Sequence, residues 1–168
     1  MDIVPLSRDH DRSGFDCGVS ELNAFLKVTA RQHTAKGISR TFVLIDPERP
    51  AAVKGFFTLT LVEVRAEHLP AAYARKYPKH SLPAVRLARL AVSVRHQGKG
   101  CGELLLADAI CRTLLIAEQA GVIGLFVDAK DSRARSFYEH YGFVSLPDHE
   151  LHLFLPMQTL RVMKPGDG

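Results

Sequence analysis

One stretch constrains this chain more than any other: Arg95-His96-Gln97-Gly98-Lys99-Gly100-Cys101-Gly102, set between the apolar run Leu90-Ala91-Val92-Ser93-Val94 and the helix-like Glu103-Leu104-Leu105-Leu106. A strand that passes through closely spaced glycines into a helix turns a row of unpaired backbone N–H groups outward, at the positive end of the helix dipole. Such a turn is an anion cradle, and phosphate is the anion it suits best.

Strand and helix periods alternate along the rest of the chain, which reads as α/β. With no repeat, low-complexity tract or linker, the 168 residues are expected to form a single domain spanning 1–168. Ile3–Leu6 reads as a first strand. Ser20 opens a helix in which Leu22, Phe25, Leu26, Thr29 and Ala30 share a face, and Gly37 ends it. Thr41–Ile45 and Ala52–Val64 read as an antiparallel hairpin around Asp46-Pro47 and Pro50. Pro70, Pro78 and Pro83 bracket a short helix at 71–77 in a long surface connection. In Ala84–Val94 the alternation slips near Ala88-Arg89, since Val85 and Leu87 take one parity and Leu90, Val92 and Val94 the other. A slip of phase predicts a β-bulge. The helix from Gly102 to Ala120 is apolar nearly all round and reads as central and well covered. Leu125–Val127 is a buried strand, Asp131 opens a helix carrying Ala134, Phe137, Tyr138 and Tyr141, and Leu151–Met157 reads as a last strand.

Several function classes are disfavoured. No apolar run approaches the roughly 20 residues that cross a bilayer. The start, Met1-Asp2-Ile3-Val4-Pro5, lacks the basic segment and apolar core of a signal peptide, so a cytoplasmic protein is expected. Cys17, Cys101 and Cys111 have no C-x-x-C spacing, and the eight histidines have no H-E-x-x-H pattern. Neither a disulfide framework nor a metal is therefore expected. The net charge of +4 permits an anionic partner without requiring one.

Arg95-x-x-Gly98-x-Gly100 and Asp131-x-x-Ala134-x-x-Phe137-Tyr138-x-x-x-Gly142-Phe143 occur in that order with the right elements between them. In both, the chain resembles the GNAT superfamily of acyl-CoA-dependent N-acyltransferases, with Asp131 standing where the family usually has Asn. The resemblance implies a mixed, mainly antiparallel central sheet with a bulged, splayed strand and flanking helices. It implies that acetyl-CoA is held by Leu90, Ala91 and Val92 along the pantetheine and by Arg95, Gln97, Gly98, Lys99, Gly100, Cys101 and Gly102 at the pyrophosphate. Asp131, Ala134 and Tyr138 complete the set. Tyr138 is then the general acid for the departing thiolate, with Tyr141 as fallback, and the Val92 N–H polarises the thioester oxygen. The plain alternative for Tyr138 is a packed aromatic on an amphipathic helix.

Phe15-Asp16-Cys17-Gly18, Leu22-Asn23-x-Phe25-Leu26, Gly37-x-Ser39-Arg40-Thr41 and Leu153-Phe154-Leu155-Pro156-Met157 resemble the GNAT branch that supplies toxins of bacterial toxin-antitoxin pairs. That implies acetylation of the amino group of aminoacyl-tRNA, a block of translation, neutralisation by a ribbon-helix-helix antitoxin, and a homodimer, to which the apolar run Ala52–Val64 lends support. The residues agree with an α-amine acceptor. Val85-Arg86-Leu87-Ala88-Arg89-Leu90 holds no carboxylate base, and an α-amino group titrating at about 7.7–8.0 supplies free amine unaided, whereas a lysine at about 10.4 does not; the alternative is a remote base, Glu63 or a chain of waters. Arg86, Arg89, Arg40 and Lys36 are expected RNA contacts; each has the plain alternative of a solvated or structural charge. Rival readings are an acetyltransferase for a small amine or a protein N-terminus, and a non-catalytic acyl-CoA-binding module.

Overall fold

A computed structural model describes residues 1–163. Its strands are β1 (Asp2–Pro5), β2 (Arg40–Ile45), β3 (Gly55–Arg65), β4 (Ser81–Val92), β5 (Gly124–Asp128), β6 (Val144–Leu146) and β7 (His149–Pro156). They form one sheet in the order β1-β2-β3-β4-β5-β7-β6. The β4–β5 pair is parallel, whereas β1–β2, β2–β3, β5–β7 and β6–β7 are antiparallel. This is the mixed, mainly antiparallel sheet that was expected. The helices are α1 (Ser20–Ala24), α2 (Ala30–Ala35), α3 (Ala71–Ala74), α4 (Cys101–Ala120), α5 (Ser132–His140) and α6 (Met157–Val162). Among the described residues no helix is long and apolar enough to cross a membrane.

The chain divides into two compact units. The first comprises Met1–Thr60 with Ala88–Ala109. Its core gathers Phe15, Phe25 and Phe56: the Phe15 ring meets Phe56 edge-on at 5.6 Å, and Phe25 stacks on Phe56 at 6.3 Å. The helix expected from Ser20 is present, but its middle, Phe25–Thr29, is a π-turn between α1 and α2. Phe25 and Leu26 at the start of this turn are both buried in the core. Ser20 is not the cap. Val19 holds that position and, as valine, has no side-chain acceptor to cap with, while the polar Asn23 accepts the Cys17 N–H through Oδ1 at 2.9 Å.

The β2–β3 hairpin forms as expected, with the buried hydroxyls of Thr41 and Thr58 paired at 2.7 Å across it. Phe56, Phe57 and Leu59 of the long apolar run are buried within this chain and Leu61 is exposed. The part of the run that ends at Leu59 is accounted for by the core, whereas Leu61 is not.

The second unit comprises Leu61–Leu87 with the residues from Ile110 onward. Phe126 of β5 and Phe154 of β7 stack at 4.7 Å, and Tyr73 of α3 meets Phe154 edge-on at 5.6 Å. The proline-bracketed connection thus lies on this face of the sheet, with Leu69 and Ala84 closing the same cluster. In β4 the register with β5 pairs Val85 with Leu125, Arg86 with Phe126 and Leu87 with Val127.

Along β4, Leu82 and Ala84 are buried on one parity and Val85, Leu87 and Ala91 on the other, with Leu90 and Val92 half-buried, so the start of the strand is covered on both faces. One expectation needs adjustment. Helix α4 is covered on one side only: Leu105, Leu106, Ala109 and Thr113 are buried, but Leu104 and Leu115 are exposed. Leucine is a strong helix former wherever it points, so an apolar helix need not be a covered one. Finally, β6 and α6 were not legible. A three-residue strand is too short for a period of two to register, and α6 begins one residue after β7 ends.

Candidate active site

Strand β4 runs out at Val92, a single helical turn follows at Val94–His96, and α4 begins at Cys101. Between them Gly98 and Gly100 take φ of +75° and +82°. A side chain in that left-handed region costs roughly 1–2 kcal/mol, yet a Cβ at either position would meet nothing within 4 Å. Glycine is therefore required by the path of the backbone and not by crowding, and the space beside the turn is open. The Leu104 N–H returns to the Gly100 carbonyl at 3.2 Å, and the N–H groups of the first helical turn before it are those a helix leaves without internal partners.

Charge around the turn has the sign a phosphate requires. His96 shares a hydrogen bond with the Ser93 hydroxyl (Nδ1 to Oγ, 3.0 Å). Burial, together with the positive charges of Lys54, Lys99 and Arg95, holds its imidazole below the ordinary histidine pKa. His96 is thus neutral at physiological pH, and the positive field comes from the three cations.

The approach to the turn is pinned from outside. The Ser93 N–H donates to the Lys54 carbonyl at 2.9 Å and the Val94 N–H to the Asp16 carbonyl at 2.8 Å. The Gln97 side-chain Nε2 donates to the carbonyls of Val92 (2.9 Å) and Cys17 (3.1 Å). Sequence reasoning valued Gln97 for its main chain and overlooked its amide. The Phe15-Asp16-Cys17-Gly18 motif was visible, but nothing local signals that its carbonyls serve a segment some 80 residues on.

In the second unit, Asp131 is the N-cap of α5: its Oδ1 accepts the Ala134 N–H at 2.8 Å. That bond orients the helix carrying Tyr138. The Tyr138 ring is buried, with Phe137 and Phe143 edge-on at 5.2 and 5.4 Å, and burial pushes its phenol well above the ordinary tyrosine pKa. A phenol so placed stays protonated and keeps its O–H as a donor. Among the described residues no buried side-chain oxygen or nitrogen lacks a partner, so the Tyr138 hydroxyl is not an orphan sealed in the core. Phe137, beside it, is only half-buried, and Tyr141 meets Phe137 edge-on at 5.3 Å.

The expected RNA contacts separate by unit. Arg89 lays its guanidinium over the Phe25 ring at 3.8 Å, while Arg40 and Lys36 are exposed on the same unit. In the other unit Arg86 is paired with Asp128, whose second oxygen lies 3.5 Å from His152 Nε2. His152 stacks on His149 at 3.8 Å; burial first, then the charges of His149 and Arg86, hold its pKa down. Arg86 thus already has a structural partner. Among the described residues no cluster of three metal-ligating side chains occurs. Cys17, Cys101 and Cys111 are free thiols, the first two buried.

The family profile for the acetyltransferase (GNAT) domain matches residues 39–145. The chain belongs to the GNAT acetyltransferase family. It is accordingly an acetyl-CoA-dependent N-acetyltransferase. Within the GNAT family it is 34% identical over 158 residues to the tRNA-acetylating toxin of Mycobacterium tuberculosis (strain ATCC 25618 / H37Rv), covering 94% of this chain and 93% of that one. It is 32% identical over 168 residues to the probable toxin TacT of Sinorhizobium fredii (strain NBRC 101917 / NGR234), covering 95% and 92%. Among solved GNAT structures, AtaT complexed with acetyl-methionyl-tRNAfMet superposes with a TM-score of 0.88 at 32% identity, over 96% of this chain and 98% of that one. A tyrosine-to-phenylalanine mutant of AtaT bound to the C-terminus of the antitoxin AtaR gives 0.79 at 33% identity, over 96% of each chain.

Proposed function

We propose that this GNAT enzyme acts in the cytoplasm as a toxin, moving the acetyl group of acetyl-CoA onto the α-amino group of aminoacyl-tRNA, and that an antitoxin neutralises it. The observation that carries the acceptor is the likeness over 94–95% of the chain to proteins named for acetylating tRNA or for being toxins. The donor is supported by the turn. Its left-handed Gly98 and Gly100 at the head of α4, among Arg95, Lys99 and Lys54, make a cradle that fits the CoA pyrophosphate.

The chemistry follows from a few groups. Backbone amides from Gln97 to Gly102 hold the pyrophosphate, and main-chain groups of Leu90–Val92 pair with the pantetheine. The Val92 N–H stabilises charge developing on the thioester oxygen. The attacking neutral amine forms the new C–N bond, the C–S bond breaks as Tyr138 gives its proton to the leaving sulfur, and the proton shed by the acylated nitrogen restores the Tyr138 phenol. Burial suits it to that task, since its phenol is neutral until a strong base appears beside it. An α-amine at about 7.7–8.0 is already substantially neutral at physiological pH, so no strong base is needed.

Mass spectrometry of charged tRNA after incubation with acetyl-CoA should show a single acetyl on the aminoacyl group; unmodified tRNA in the presence of active, folded enzyme refutes the acceptor. Tyr138→Phe should retain acetyl-CoA binding and lose about 10²-fold or more in kcat. Near-normal turnover by that variant removes the general-acid role.

A further inference from the structure

We propose that the Gln97 side chain and the Asp16–Asn23 pair are positioning residues, a brace that fixes the glycine turn so that its amides are set for the acyl-CoA pyrophosphate. This rests on the reading of that turn as the CoA site. The two carbonyls within reach of the Gln97 amide, Val92 at 2.9 Å and Cys17 at 3.1 Å, require its nitrogen and not its oxygen to face them. Both amide protons are thereby used, one tying the turn to the end of its own strand and the other to the N-terminal loop. That loop is in turn fixed by side chains. Asp16 Oδ1 accepts from the Gly18 N–H (2.9 Å) and from Asn23 Nδ2 (3.0 Å), and Asn23 Oδ1 accepts the Cys17 N–H (2.9 Å).

With the Asp16 carboxylate and the Cys17 N–H both engaged by Asn23, residues 16 and 17 present their carbonyls to Val94 and Gln97. A Cβ on Gly98 or Gly100 would meet nothing within 4 Å, and on the helix side the turn is held by the Leu104 N–H on the Gly100 carbonyl. The conformational freedom of the two glycines must then be removed at the strand end, through Gln97, for the amides to meet an anion without an ordering cost at binding.

The test is a kinetic split. Gln97→Glu, which keeps shape but replaces both donors by an acceptor, should raise the KM for acetyl-CoA about tenfold with kcat within about twofold. Asn23→Asp, which sets two carboxylates against each other, should do likewise. Asp16→Asn, whose amide oxygen can still accept both the Gly18 N–H and the Asn23 amide, should keep KM within about twofold of the parent, whereas Asp16→Leu, which has no acceptor, should raise it about tenfold, a contrast that general unfolding would not give. An unchanged KM in Gln97→Glu, or an Asp16→Asn variant as impaired as Asp16→Leu, overturns the brace. Gly98→Ala separates the two readings. If it weakens acetyl-CoA binding by calorimetry while Gln97→Glu does not, the brace fails and the CoA site stands; if neither variant moves the affinity, the turn is not the CoA site and the brace falls with it.

Discussion

At the scale of the residue, two glycines illustrate opposite reasons for having no side chain. Gly100 needs its left-handed φ of +82° in open space, so Gly100→Ala should lose acetyl-CoA affinity by more than it loses melting temperature. A Cβ on Gly55 would sit 2.9 Å from both the Ala91 carbonyl and Leu105 Cδ1. Gly55→Ala should therefore destabilise by about 1–3 kcal/mol in denaturant titration, with the affinity of the surviving folded protein unchanged. The first glycine was legible in the sequence, because closely spaced glycines between a strand and a helix leave few alternatives. The second was not, since a steric limit set by residues 36 and 50 positions away leaves no local mark. The same division holds for Gln97, whose carbonyl partners lie five and 80 residues away, and for Tyr138, which stood out through its motif and whose burial only the fold could supply.

Among the elements, α5 links local stability to chemistry. Asp131 caps it through the Ala134 N–H, so Asp131→Ala should cost about 1 kcal/mol of stability and lower kcat as well, because Tyr138 rides on that helix. Asp131→Asn should restore both, asparagine being as good a cap. A variant that loses stability but keeps full kcat would disconnect the cap from the tyrosine's placement. Long periodic elements such as α4 and the β2–β3 hairpin were readable from their spacing. The π-turn at Phe25–Thr29 was not, because Leu22, Phe25, Leu26 and Ala30 satisfy an ordinary helical stripe equally well. In β4, a strand with apolar residues on both faces, parity alone could not say which face was which.

For the molecule as a whole, acidity should act in two separable ways. Hydrogen bonds from Gly18 and Asn23 hold the Asp16 carboxyl below its ordinary pKa. Its stabilising contribution is therefore complete above the unfolded value of about 3.9 and is lost as pH falls further. Asp16→Asn should flatten the melting-temperature curve below about pH 4. The rate of acetyl transfer should instead climb from neutrality and level off above about pH 8, as the acceptor's α-ammonium loses its proton; a rate independent of pH over that range would mean the enzyme deprotonates the amine itself. In cells, expression without an antitoxin should arrest growth, and the Tyr138→Phe protein, expressed to the same level, should not.

The first compact unit is assembled from Met1–Thr60 and Ala88–Ala109, and that arrangement has a temporal side. As the chain is synthesised from its N-terminus, the carbonyls of Asp16 and Cys17 emerge long before Val94 and Gln97 exist to meet them. No finished glycine turn can form until the ribosome has added the start of α4. An enzyme proposed to consume the ribosome's own charged tRNA is thereby without its donor site for that whole stretch of its manufacture.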